Sequence, residues 1–126
     1  MKRVLITGSR NWSNREAIRS WLCKLQDWGF DTLIEGEARG ADAIAKEEAK
    51  RMGFSILPFP ADWDKYRKAA GPIRNEQMLV EGKPDLVLAF HSDLIQSKGT
   101  KNMVQLAQKY GLQVILEEGI SEVKKV

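Results

Sequence analysis

Cysteine and histidine are nearly absent: Cys23 and His91 are the single representatives of their kinds in 126 residues. One thiol excludes an internal disulfide and a cysteine metal cluster, and a lone imidazole makes no metal site, so no metal is expected. Long hydrophobic runs are also missing. The longest are about five residues, against the roughly 20 that a membrane-spanning helix needs. The apolar run near the N-terminus, Val4-Leu5-Ile6, is too short for a signal peptide and soon meets the turn residue Gly8, so a cytoplasmic location is expected. A strong charge of one sign is lacking too. The net charge of +3 and pI near 9.1 come with acids and bases mixed along the chain, without the dense basic stripe of a nucleic-acid binder. Such a charge fits a small anionic ligand about as well as a polymer. No repeat, linker or low-complexity stretch divides the chain. Its length suits one domain able to bury a core without staples.

What is present is an alternation of short apolar runs with helical periods. Arg3–Thr7 reads as a buried parallel strand ending at Gly8. Ser13 and Glu16 have capping-box spacing, so Ser13 is expected to open a helix. Ala17, Ile18, Trp21, Leu22, Leu25 and Trp28 then recur at helical spacing as its core face, with Cys23 taken as core as well. Thr32–Glu35 is a second strand, and Ala41, Ile44, Ala45, Ala49 and Met52 mark a second helix. Ser55–Phe59 is a third strand; Pro58 removes a ladder donor and puts it at a sheet edge. A long polar stretch, 61–75, follows. Pro72 suits the first helical position, in a helix running to about Glu81. Asp85–Phe90 is the clearest buried strand. Thr100 is placed to cap a helix through Tyr110, and Gln113–Leu116 is a fifth strand.

Five strands alternating with four helices imply an α/β fold: a doubly wound parallel sheet in the order 3-2-1-4-5, with helices on both faces and right-handed crossovers. The domain is expected over residues 1–117, with a polar tail over 118–126. Ligands bind such sheets outside the carboxyl ends of the strands, where the order reverses. Four segments then share one rim: Gly8 to Trp12, Gly36 to Asp42, the stretch 61–75, and His91 to Thr100.

The chemistry on that rim suits an anion. Gly8 and Ser9 offer a tight turn with a hydroxyl, and Arg10 a bidentate phosphate partner, although a plain turn with a solvated arginine would read the same. Gly36, Arg39 and Gly40 repeat the pattern before a helix N-terminus. Asp42 either favours the helix dipole or accepts from ribose hydroxyls. The 61–75 stretch shows neither strand alternation nor an unbroken helical period, which argues against a packed element. It is read as a functional loop walling the site. Trp63 and Tyr66 are available there for stacking, and Arg74 and Asn75 enter the site from the first turn of the next helix. Gly99 and Thr100 stand at another helix start, either for a phosphate or as a cap. Trp12, like Trp63, breaks the helical period and is a second candidate to stack on a base; Trp21 and Trp28 read as core.

In order and spacing these motifs resemble the SLOG superfamily of Rossmann-like nucleotide-binding domains, in its YspA-like branch. The likeness rests on Gly-Ser-Arg-Asn-Trp at 8–12, Gly-Glu-Ala-Arg-Gly-Ala-Asp at 36–42, Ala-Asp-Trp at 61–63, Ala-Gly-Pro-Ile-Arg-Asn at 70–75, Pro-Asp-Leu-Val-Leu-Ala-Phe at 84–90 and Gly-Thr-Lys-Asn-Met-Val at 99–104. The resemblance implies a domain that binds a nucleotide or a nucleotide-derived small molecule, with no further cofactor and with a homodimer as an option. It also brings in the Lonely Guy type phosphoribohydrolases, which cleave the N-glycosidic bond of nucleoside monophosphates. Arg74 matches their catalytic arginine, but their catalytic glutamate falls on Met103, which is no acid or base. A hydrolase or transferase would have to draw on Glu37, Asp42, Asp62, Asp64 or His91. A nucleic-acid module is a third reading, since the DNA-processing protein of natural transformation shares the superfamily. Two departures stand out. The branch usually has Gly-Gly where this chain has Gly36-Glu37, and the loop over His91–Lys98 is longer and lacks paired glycines.

Overall fold

The computed structural model describes residues 1–92 and 97–118. Strands and helices alternate, except that two helices follow the third strand. They are β1 (Arg3–Gly8), α1 (Arg15–Asp27), β2 (Thr32–Glu35), α2 (Ala41–Arg51), β3 (Ser55–Pro58), α3 (Trp63–Tyr66), α4 (Ala70–Val80), β4 (Leu86–Phe90), α5 (Gly99–Lys109) and β5 (Val114–Glu117). A 3-10 turn, Arg67–Ala69, joins α3 to α4. The five strands form one parallel sheet in the order β3-β2-β1-β4-β5, the expected α/β Rossmann-like arrangement.

The central strands are apolar on both faces because both are covered. Successive side chains divide between two cores. Val4, Ile6, Leu33, Leu86 and Leu88 pack with Ile18, Leu22 and Leu25 of α1 and with Ala41, Ala45 and Ala49 of α2. Leu5, Ile34 and Val87 pack on the opposite face with Met78 and Leu79 of α4 and with Met103 and Ala107 of α5. Leu5 pairs in register with Ile34 on one side and Val87 on the other, so the second core starts from a continuous row across three strands. Pro58 closes the edge strand β3, where its missing N–H leaves no interior ladder gap.

Several local expectations are corrected. Asn14, not Ser13, caps α1: its Oδ1 accepts from Ala17 N at 3.1 Å. Adjacent Ser and Asn are both good caps, and geometry selects the one that reaches the third helical N–H. Cys23 is exposed rather than core, because the buried stripe runs through Ile18, Leu22 and Leu25. Trp28 is also exposed, and Trp21 is half-buried at the margin, its Nε1 donating to Glu117 at 3.1 Å. The 61–75 stretch is not a bare loop. Asp62 Oδ1 accepts from Lys65 N at 3.1 Å and caps α3, and the 3-10 turn then runs without a break into α4. Pro72 is therefore the third helical residue, still within the turn whose N–H groups lack intrahelical partners. Thr100 lies inside α5, whose N-cap position is Lys98; the Ser97 Oγ, one residue earlier, accepts from Thr100 N at 3.0 Å. Of the polar tail expected over 118–126, only Glu118 is among the described residues, and the middle of the His91–Lys98 loop also lies outside them.

Candidate functional site

The parallel sheet aims all its strand ends at one rim, and the loops there are held by backbone contacts. The Ser9 carbonyl accepts from Trp12 N at 3.2 Å and from Ala41 N at 3.1 Å, tying the β1–α1 turn to the start of α2. This close approach requires Gly40. Its φ is +75°, and a Cβ there would lie inside the backbone of Ser9 and Arg10. Gly8, the last residue of β1, sits equally tightly against Phe90 and Ala41. The Ser9 hydroxyl oxygen accepts from Asn11 N at 3.0 Å, so it serves the turn.

The next turn is built around Arg74. The guanidinium lies beside Gly36, where a Cβ would stand 2.8 Å from its Cζ and 3.0 Å from Asp42 Oδ2. Arg74 Nη1 donates to the Gly36 carbonyl, and Nε donates to Asn75 Oδ1 at 3.0 Å. Asn75 is buried and passes the restraint on: its Nδ2 donates to Gly99 O at 3.2 Å and Asn102 Oδ1 at 3.0 Å. Arg74 thus comes from the fifth position of α4, with α5 buttressing it through Asn75. Burial pulls its pKa below the usual arginine value, while Asp42 opposes the shift.

Two acids lie beneath this turn. Asp42 is 4% exposed, and its Oδ2 accepts from Gly36 N at 3.0 Å and Ala38 N at 3.4 Å. Burial raises its pKa to about 6, against the pull of Arg74 and of the two N–H groups. The sequence offered the helix dipole or ribose hydroxyls as roles for Asp42; this oxygen is engaged in a third, holding the 36–38 turn. Glu35 was not singled out by sequence reasoning. It is fully buried at the end of β2, with Oε1 accepting from Glu37 N at 2.8 Å. Its Oε2 has no hydrogen-bond partner among the described residues. Burial drives its pKa up to about 7, opposed by the Glu37 N–H and reinforced by the neighbouring Glu37 and Asp42 charges. The signal was present: a carboxylate ending an otherwise apolar buried strand, directly before a glycine.

Above the turn is a cleft of about 510 Å³. Arg10 lines it from the β1–α1 loop, Gly36 to Arg39 from the β2–α2 loop, Pro60, Ala61 and Trp63 from the β3–α3 connection, and Arg74 from α4. Arg10, Gly36, Arg39, Trp63 and Arg74 are therefore brought together. Trp63 is 48% exposed, and the Arg10 guanidinium stands 5.7 Å from its ring centroid. Among the described residues, no carboxylate lies within ion-pair distance of Arg10, Arg39 or Arg74. Ala61 belongs to the stretch read from the sequence as walling the site; Pro60, just before it, was not foreseen. A second cleft, about 470 Å³, lies across the 37–39 segment and adds Lys46 and Lys50 of α2.

The remaining candidates lie elsewhere. Trp12 is 8% exposed, with its ring tilted against Phe90 at 5.3 Å and its Nε1 donating to Asn14 O at 2.9 Å. With Ser9 it borders a separate hollow of about 200 Å³. Asn75, Gly99 and Thr100 belong to the α4–α5 junction and do not line the main cleft. Tyr66 is half-buried beneath Lys65 Nζ and does not line the cleft either. Met103 is fully buried in the second core. Among the described residues, no cluster of His, Cys, Asp and Glu is arranged to hold a metal ion, and no helix is long and apolar enough to cross a membrane.

Comparison with known proteins agrees with this architecture. A family model described as YAcAr, "YspA, cpYpsA-related SLOG family", matches residues 2–66. The Gene 61 protein of Mycobacterium phage D29 is 40% identical over 123 residues, covering 91% of this chain and 95% of that protein. Among solved structures, TM1055 superposes with a TM-score of 0.68 at 17% identity, over 90% of this chain and 72% of that one. DNA processing protein A (DprA) from Streptococcus pneumoniae superposes with a TM-score of 0.52 at 15% identity, over 94% of this chain and 59% of that one. At such identities the two structures share the fold.

Proposed function

We propose that this chain, which belongs to the YspA, cpYpsA-related SLOG family, binds a nucleotide or a nucleotide-derived small molecule at the C-terminal rim of its sheet, as a sensor or sequestering domain. One observation carries the reading: Arg10, Arg39 and Arg74 line a single cleft with no carboxylate partner among the described residues. Guanidinium groups without an ion-pair partner are matched to a bidentate anion such as phosphate. The half-exposed Trp63 ring supports a planar base at the same opening. Calorimetric titration across nucleoside phosphates, cyclic nucleotides and ADP-ribose derivatives tests the reading. Micromolar or tighter binding of at least one is expected; no heat from any of them would end it.

A hydrolase or transferase reading draws on a different observation. Glu35 and Asp42 lie under the cleft floor with pKa values raised to about 7 and about 6, as proton carriers near neutrality would be. Against it, the position matching the phosphoribohydrolase glutamate is the core residue Met103. Incubation with nucleoside monophosphates and with NAD separates the two: release of free base or sugar phosphate favours the enzyme. A nucleic-acid role ranks below both, and a gel shift abolished by salt would support it. The homodimer suggested by related enzymes is tested by sedimentation.

A further inference from the structure

The anion turn contains a residue that is unfavourable there on two counts. Glu37 has φ +58°, in the left-handed region that a non-glycine residue occupies at a cost of about 1–3 kcal/mol. It also puts an acidic residue into the lining of a cleft that otherwise presents three arginines. Glycine occupies the neighbouring positions 36 and 40, where space demands it, yet not this one, where the dihedral favours it. The strained conformation is held from both ends. The Glu37 N–H donates to the buried Glu35 carboxylate at 2.8 Å. The Glu37 side chain accepts from Lys46 Nζ through both oxygens, at 2.9 and 3.1 Å. Glu37 lines both clefts, whereas Lys46 lines only the second. The cation thus anchors the carboxylate from the far side of the wall without entering the arginine cleft.

We propose that Glu37 is a specificity-determining residue: it fixes an acceptor carboxylate at the edge of the arginine cleft, admitting an anion that has hydroxyl or amino donors beside it and rejecting a run of successive phosphates. The proposal rests on the nucleotide-binding reading above and adds the ligand feature that reading leaves open. Polyphosphate oxygens extending along this wall would meet a fixed carboxylate whose charge Lys46 offsets only in part, and the remaining repulsion discriminates between otherwise similar partners. A ribose or an amino group at the same place would instead donate to it.

The test measures AMP and ATP affinities by calorimetry for the wild-type chain, Glu37→Gln and Glu37→Gly. Glutamine removes the charge at constant shape; glycine removes the side chain and relieves the backbone, so neither variant threatens the fold. The wild type is expected to bind AMP more tightly than ATP. Both variants should shift the ATP-to-AMP affinity ratio toward ATP by roughly tenfold or more. If AMP binds the wild type but the ratio does not move in either variant, the specificity role is overturned and nucleotide binding stands. If neither nucleotide binds any of the three proteins, while a cyclic nucleotide or ADP-ribose does, the phosphate-count rule is likewise wrong. Failure of every ligand overturns the binding reading together with it.

Discussion

Arg74 makes its contribution to the cleft through a fixed orientation. Two of its donor nitrogens are engaged by the Gly36 carbonyl and Asn75, which leaves the guanidinium pre-aimed and little side-chain entropy to lose on binding. Arg74→Ala is expected to weaken nucleotide binding by roughly 1.5–3 kcal/mol, the range for a charge-assisted pair, in a protein that still melts cooperatively. Arg74→Lys should recover only part of this, because an ammonium lacks the planar fork. Titration of the wild type and both variants with one nucleotide reads this directly; affinity unchanged in the alanine variant would remove Arg74 from the site. Glu35 acts through protonation instead. Its folded pKa, about 7, stands above its ordinary value of 4.5, so the folded protein holds the proton more tightly than the unfolded chain does. Its contribution to stability is full below about pH 4.5, falls as pH rises through about 7, and is constant beyond. In Glu35→Gln this slope should vanish. Between pH 5 and pH 8 the variant should gain on the wild type by on the order of 1–3 kcal/mol, read from urea midpoints. A parallel pair of pH profiles would show that the buried carboxyl is not the source.

Helices α1 and α2 are joined chiefly by Glu48, with Glu47 adding a second contact to Arg15. The Glu48 side chain is 4% exposed and meets Arg15 at 2.6 Å, Arg19 at 3.0 Å and Arg51 at 3.4 Å. The Arg15 hydrogen bond leads in holding its pKa below the usual glutamate value. The network's contribution is thus present above the unfolded pKa of 4.5 and lost as pH falls through the lower folded value. Since the arginines reach in from solvent, Glu48→Ala is expected to cost on the order of 1–2 kcal/mol, visible as a lower melting temperature at pH 7 and a smaller deficit in acid. Gly40→Ala should do more damage, on the order of 2 kcal/mol or beyond, because it combines a forbidden φ with a backbone collision; a wild-type melting temperature would contradict the turn geometry. At this scale the strands and the four long helices were readable, because period and apolar content are local signals. What the sequence misplaced depends on which neighbour arrives. Cys23 and Trp28 have core-like chemistry but lie outside the Ile18–Leu22–Leu25 stripe. The four-residue helix α3 is too short to show a period. Ser13 and Asn14 are equivalent as letters and differ only in reach.

The whole molecule is a covered parallel sheet whose strand order reverses between β1 and β4, yet the arginine cleft opens on the β1–β2–β3 side. The sheet order was legible, and with it the rim where the strand-end loops gather, since strand ends follow from topology. The residues it singled out from four loops fall into different surroundings, because packing, which the letters do not show, sorts them. Trp12 went to the core, Asn75 to the α4–α5 junction, and Arg10, Arg39, Trp63 and Arg74 to one opening. Glu35 was passed over although its place at the end of an apolar strand hinted at burial; how complete that burial is depends on the surrounding packing. The most direct test of the account is a crystal structure with the tightest-binding nucleotide from the calorimetric panel. The expected result is phosphate oxygens within hydrogen-bonding distance of Arg74 and of Arg10 or Arg39, with the base against Trp63. Phosphate density at the N-terminus of α5, beside Gly99 and Thr100, with the arginine cleft holding only solvent, would contradict it.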